Sequence, residues 1–269
     1  MLSATLASLL MLWVLLAQPE SAGGSTFHAP DATSFFKILL RWSHFLAGIT
    51  WIGLLYFFNL VNVNFMKALD APTKGKVVPE LMPRALWWFR WGAVVTVLVG
   101  LTYYAMYILG SEAENAKLSP WGYLGKWVLT VLVAYAVIYA LLQPVSGVLN
   151  KGPVLAVLIG LVAVVMSGVV IYILIAQAAP GAAVTGQAFS NKSLSIGIGG
   201  GLGIIMLLNV WGIIWPAQKR IIAGTKEGTA VPPELARRAF LASRTNTWLS
   251  LPMLFFMATS HGDYIWFAK

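Results

Sequence analysis

The chain has 269 residues, 59% of them apolar and 10% charged, with a mean hydropathy of +0.78; soluble domains carry roughly a quarter charged residues, so this composition excludes one and points to lipid. A net charge of +9 and a pI near 9.8 do not indicate nucleic acid, because the basic residues lie in short connections between apolar runs and not in a stripe interleaved with exposed aromatics. The absence of cysteine excludes disulfides, iron–sulfur clusters, thiolate ligation and covalently attached c-type haem.

Taken in chain order, the first apolar run, 2–17, is shorter than the roughly 20 residues that cross a hydrocarbon core. It is followed by Gln18-Pro19-Glu20-Ser21-Ala22-Gly23-Gly24, helix breakers after small residues, and residues 1–24 read as a signal-like hydrophobic segment. No lysine or arginine precedes the run, and a stable extra helix is the alternative. Six longer runs follow at 35–65, 87–109, 121–149, 153–177, 194–215 and 247–267. They are continuous and do not alternate, which favours spanning helices over a barrel. The expected fold is an all-α, polytopic transmembrane helix bundle, one domain over residues 35–269 with six spanning helices.

Twelve of the 18 lysines and arginines fall in the connections after the first, third and fifth of these runs, and six fall on the other side. Cytoplasmic loops collect such residues, so the mature N-terminus and the C-terminus are expected outside, as in a bacterial inner-membrane protein with a secretion signal. In the fifth connection, Pro232-Pro233-Glu234 before Leu235, Arg237, Arg238, Phe240 and Leu241 predicts a short helix lying on the inner surface.

Only three histidines occur, and two fall in apolar runs, where an ionisable side chain is costly and marks a candidate site. His44 lies on the order of 13 Å below the outer start of the first predicted helix, and His261 lies near the outer end of the last. Two imidazoles at similar depth on different helices suit the axial positions of a haem b iron, so both are candidate metal ligands. At helical spacing around His44, Arg41 is placed to pair with a propionate, Gly48 to leave room for a flat macrocycle and Trp51 to pack on its edge. The competing reading is interhelical hydrogen bonding by the histidines. Copper is disfavoured because no methionine cluster accompanies them, and His28, outside the runs near Asp31, reads as solvated.

Other features have plainer readings. Gly197 with Gly201 and Gly199 with Gly203 suit close helix packing and lack dinucleotide-loop spacing. Trp87-Trp88-Phe89-Arg90-Trp91 reads as an interfacial belt, with the floor of a cavity as the alternative. Asn209 needs a partner in lipid, and it, or Arg244 with Asn246, is a candidate for a polar cluster in the inner half. No acid lies deep in a run, which counts against an ion-coupled transporter.

Several segments together resemble the membrane-bound urate hydroxylase family, whose membrane part is called the urate oxidase N-terminal domain. They are Arg41-Trp42-Ser43-His44-Phe45-Leu46-Ala47-Gly48, Tyr56-Phe57-Phe58-Asn59, Trp87-Trp88-Phe89-Arg90-Trp91-Gly92, Asn209-Val210-Trp211 and Ser243-Arg244-Thr245-Asn246-Thr247. More loosely, His44 through Gly53 is similar to the histidine motif of HemJ-type membrane haem proteins. The resemblance implies an oxidoreductase passing electrons from a small reductant, with urate the first candidate, to a c-type cytochrome at the outer face. Family members that oxidise urate carry that cytochrome as a C-terminal domain; the 269 residues hold none, so a separate cytochrome c or a different task is expected. The other expectation is a non-catalytic membrane subunit or anchor of a respiratory or other membrane enzyme complex, embedded in lipid and binding no nucleic acid.

Overall fold

The computed structural model describes residues 30–143, 147–148, 151–175, 189–261 and 267; the signal-like segment 1–24 and His28 lie outside them. All regular structure among the described residues is helical. The helices are α1 (Ala32–Tyr56), α2 (Val63–Ala68), α3 (Ala71–Tyr104), α4 (Gly110–Asn115), α5 (Pro120–Leu141), α6 (Gly152–Ile175), α7 (Asn191–Asn209), α8 (Trp215–Glu227) and α9 (Pro233–Ala258). Three π-helical segments, Phe57–Asn62, Ala105–Leu109 and Val210–Ile214, join α1 to α2, α3 to α4 and α7 to α8 without a break.

Two compact units divide the chain inside α1, Met1–Leu39 and Leu40–Lys269. In the first, Asp31 caps α1 by accepting the Ser34 N–H at 2.8 Å. The same backbone bond holds the Asp31 carboxyl below the usual carboxylate range. The second unit contains the buried core and every site discussed below.

Five helical stretches are long and apolar enough to cross a membrane: Ala32–Ala68, Ala71–Asn115, Pro120–Leu141, Gly152–Ile175 and Asn191–Glu227. The first two and the last overrun their apolar runs. In particular α3 begins at Ala71 and takes up most of what reads as a charged connection, with Pro79 and Pro83 inside it. The most apolar window of Asn191–Glu227 is 61% buried against 22–33% in the other four, which makes this the central rod.

The sixth expected span takes a different form. The short surface helix and the last span are one continuous helix, α9, which is not among the stretches long and apolar enough to cross a membrane. Nothing in Ser243-Arg244-Thr245-Asn246-Thr247 breaks a helix; Ser243 and Asn246 find partners on other segments, and the Thr247 hydroxyl donates to Ser243 O within α9. At its far end α9 stops at Ala258, nine residues before the end of the 247–267 run, because Thr259 and Ser260 fold back. The Thr259 hydroxyl donates to Phe256 O at 3.3 Å and the Ser260 hydroxyl to Met257 O at 2.7 Å, a local competition that ends helices.

Glycine lets α7 occupy the centre. A Cβ on Gly197 would lie 2.9 Å from the Tyr104 hydroxyl, one on Gly199 would lie 3.1 Å from the Met253 carbonyl oxygen, and one on Gly201 would lie 3.1 Å from Val131. Three different neighbours, α3, α9 and α5, therefore approach its backbone. That closeness opens α7 carbonyls to aromatic donors: Tyr104 OH donates to Ser193 O at 3.1 Å and Trp127 Nε1 to Gly197 O at 2.8 Å. At the start of α7, Glu112 accepts from Ser190 N at 2.8 Å, Ser190 Oγ at 2.5 Å and Ser193 Oγ at 2.7 Å. A carboxylate at a helix N-terminus with three donors closes that end of the rod.

Candidate functional site

Two groups of polar residues lie between the helices, and the first surrounds the half-buried His44. Its Nδ1 is 2.9 Å from the Thr96 carbonyl oxygen on α3. A carbonyl only accepts, so the Nδ1–H donates and Nε2 is the nitrogen with a free lone pair. Within α3 the Thr96 carbonyl is one turn before Gly100, and a Cβ on Gly100 would sit 2.7 Å from His44 Nδ1 and Cε1. The missing side chain at Gly100 is what admits the imidazole to the helix backbone. The Thr96 hydroxyl donates to Gly92 O at 2.7 Å and leaves the carbonyl to His44.

His261 follows α9 and is exposed. Its Nδ1 is 2.6 Å from Ser260 Oγ and 3.4 Å from Met257 O. Since the Ser260 proton goes to Met257 O, Ser260 Oγ accepts from the imidazole, and here too Nε2 is left bare. Arg41 is exposed one turn before His44, and its charge and that of Lys192 act on His261. This sets His261, after α9, near Arg41 of α1 and Lys192 at the start of α7. Gly48 faces Thr96, whose Cγ2 would be 3.6 Å from an added Cβ. Trp51 is 1% exposed, packed beside Gly92, and its Nε1 has no partner.

The second group is the polar cluster sought around Asn209. Asn209 Nδ2 donates to Asn246 Oδ1 at 2.9 Å, and Asn246 Nδ2 donates to Met206 O at 2.9 Å, with both side chains at 0% exposure. Nearby segments add two more interhelical bonds. Asn59 Nδ2 donates to Ser243 Oγ at 2.8 Å, and Tyr56 OH lies 3.0 Å from Ser250 Oγ, whose own proton goes to Thr247 O. Asn59 is in the first π-helical segment and Asn209 immediately precedes the third. Such bulges re-aim side chains and are frequent at functional sites. Tyr56, Asn59 and Ser243 carry no signal in the sequence beyond falling in segments of family resemblance, and Ser250 lies outside those segments.

Arg90 is turned inward. Its guanidinium carbon lies 3.8 Å from the Trp215 ring centroid and 5.6 Å from that of Trp211, and its Nε is buried without a partner. Trp87 and Trp88 stay exposed, as an interfacial belt requires. The segment is thus a belt on one face and a cation–π clamp between α3 and α8 on the other.

These features define a polytopic α-helical membrane protein whose long helices are joined by buried polar bonds. The chain belongs to the urate oxidase N-terminal family, whose model matches residues 68–268. The match takes in Thr96, Gly100, the asparagine pair and His261, while His44 lies before it. No curated protein and no solved structure matches the chain.

Proposed function

We propose that this chain is the membrane-embedded subunit of an oxidoreductase assembly of its family, a scaffold that requires partner chains for turnover. The observation that carries this reading is how the buried polar side chains are used. Asn209 and Asn246 spend hydrogen bonds on each other and on Met206, and Asn59 and Tyr56 spend theirs on α9. Interior polarity of this kind joins helices. The setting that accords with the charge bias is a bacterial inner membrane, with a c-type cytochrome as the electron acceptor at the outer face. Purified alone and supplied with urate and a c-type cytochrome, the protein is expected to reduce none of it. Turnover by the single chain overturns the reading.

A sharper version, in which the subunit carries haem b, is favoured by one observation. His44 and His261 each have Nδ1 engaged, by the Thr96 carbonyl and by Ser260 Oγ, and Nε2 free, as in a metal-bound histidine whose second nitrogen is held by the protein. His44 and His261 would be the ligands, with Arg41 the cation nearest the group's acid side chains. A bound haem b would supply one-electron chemistry; the chain orients the two imidazoles through Thr96 O and Ser260 Oγ. If this holds, the purified protein shows a b-type α-band in its reduced-minus-oxidised spectrum that is lost in both His44→Ala and His261→Ala. No band in wild type grown with ample haem rejects the haem version and leaves the scaffold.

A further inference from the structure

Where α8 gives way to α9, the chain forms an open surface pocket of about 420 Å³. The turn is tight for a local reason. Gly228 ends α8 in the left-handed region at φ 67°, and the Thr229 N–H returns to Gly224 O at 2.9 Å. A Cβ on Gly224 would lie 2.7 Å from Val231 Cγ2, so the connection is pressed onto the end of α8.

Four charged side chains line this pocket: Arg220 and Glu227 from α8, and Glu234 and Arg238 from α9. Arg220, Gly224 and Glu227 recur at helical spacing on one face, and Glu234 and Arg238 are one turn apart on the opposing helix. Among the described residues the ion pair within salt-bridge distance is Arg84 with Glu80, so these four do not pair with one another. Arg238 reaches Gln143 O at 3.4 Å through one terminal nitrogen, while its Nε is buried without a partner. A buried guanidinium donor with no acceptor is costly and points to a missing one. The pocket lies at the far end of α8, the polar extension that carries the chain beyond the apolar run ending at Trp215.

We propose that this pocket binds a group carrying both a phosphate and a primary amine, the chemistry of an ethanolamine phospholipid headgroup. A simple anion would meet Glu227 and Glu234, and a simple cation would meet the two arginines. A zwitterion answers both pairs. Guanidinium forks match phosphate oxygens, and the N-terminal end of α9, a 26-residue helix, adds its positive pole at the pocket rim. The carboxylates are left for an ammonium group, whose three N–H donors a trimethylammonium lacks.

The test is a titration of the detergent-purified full chain, read by thermal unfolding midpoint, with short-chain phosphatidylethanolamine, phosphatidylcholine and phosphatidylglycerol, and with water-soluble glycerophosphoethanolamine. The ethanolamine lipid is expected to raise the midpoint at concentrations roughly tenfold or more below those of the other two lipids. Arg220→Ala and Glu234→Gln, both at exposed positions, should each weaken that response about tenfold, and Lys226→Ala, outside the lining, should leave it unchanged. An equal response to glycerophosphoethanolamine identifies a soluble ligand of the same chemistry; a response to the lipid alone identifies the membrane as its source. Equal responses to all three lipids, or a response indifferent to Arg220→Ala and Glu234→Gln, overturn the proposal.

Discussion

Gly199→Val is expected to lower stability by about 3 kcal/mol, at the upper end of the usual cost of overpacking. A Cβ at this position would lie 3.1 Å from the Met253 carbonyl oxygen, 3.2 Å from Met257 Cε and 3.3 Å from Phe256 Cβ. Methionine can swing away, but the Met253 carbonyl belongs to the backbone of α9 and moves only if the helix moves. Valine adds two methyl groups to that contact, so α7 and α9 must part along the interface that also holds Asn209 and Asn246. The check is the thermal unfolding midpoint in detergent, followed by tryptophan fluorescence. Gly203→Ala is the control, because a Cβ there meets nothing within 4 Å, and it should be neutral or slightly stabilising. A Gly199→Val protein that melts with wild type contradicts the α7–α9 packing described here.

The asparagine pair predicts a different pattern, one of coupling. Asn246→Leu removes the acceptor of Asn209 Nδ2 and the donor to Met206 O, stranding polar groups at 0% exposure. Leaving buried groups unsatisfied costs about 1–3 kcal/mol each, and a loss of about 2–3 kcal/mol is expected. Replacing both partners of a buried bond is far cheaper than replacing one. The double variant Asn209→Leu with Asn246→Leu should therefore recover part of the loss, with a coupling of about 1–2 kcal/mol in a double-mutant cycle. Strict additivity would mean that the two side chains do not depend on each other.

How far the sequence discloses this molecule follows from which signals are local. Apolar runs long enough to cross a bilayer are local, and they locate α1, α3, α5, α6 and α7, with both ends close only at α6, where 153–177 meets Gly152–Ile175. The limits of α3 and α9 are not local. Lys74, Lys76 and Arg84 read as a loop, yet Ala71–Tyr104 is one helix, because a membrane helix continues into water as long as its backbone stays paired. Arg237, Arg238 and Arg244 likewise hide the continuity of α9, and the hydroxyls of Thr259 and Ser260 that end it carry no apolar signature.

The candidate sites divide in the same way. Asn209 and Asn246 declare themselves as amides expensive in lipid, but their mutual bond is tertiary. His44 is visible as an ionisable group inside an apolar run, whereas Thr96 and Gly100 are inconspicuous until α3 is laid beside α1. Gly197, Gly199 and Gly201 meet the close neighbours that their spacing suggests, while Gly203 faces open space. Arg90 reads as a surface anchor because its neighbours Trp87 and Trp88 are interfacial. Only the approach of Trp211 and Trp215 on the next rod turns it inward.

The central claim, that this chain is a membrane subunit and not a self-sufficient urate-oxidising enzyme, is tested most directly by one spectroscopic experiment. The reduced-minus-oxidised spectrum of the purified full chain is recorded before and after urate, with a c-type cytochrome in the same cuvette and dithionite added last. The account predicts that urate reduces neither a chromophore on the chain nor the cytochrome, whether or not dithionite then brings out a b-type band. Urate-driven reduction of either by the chain alone contradicts it.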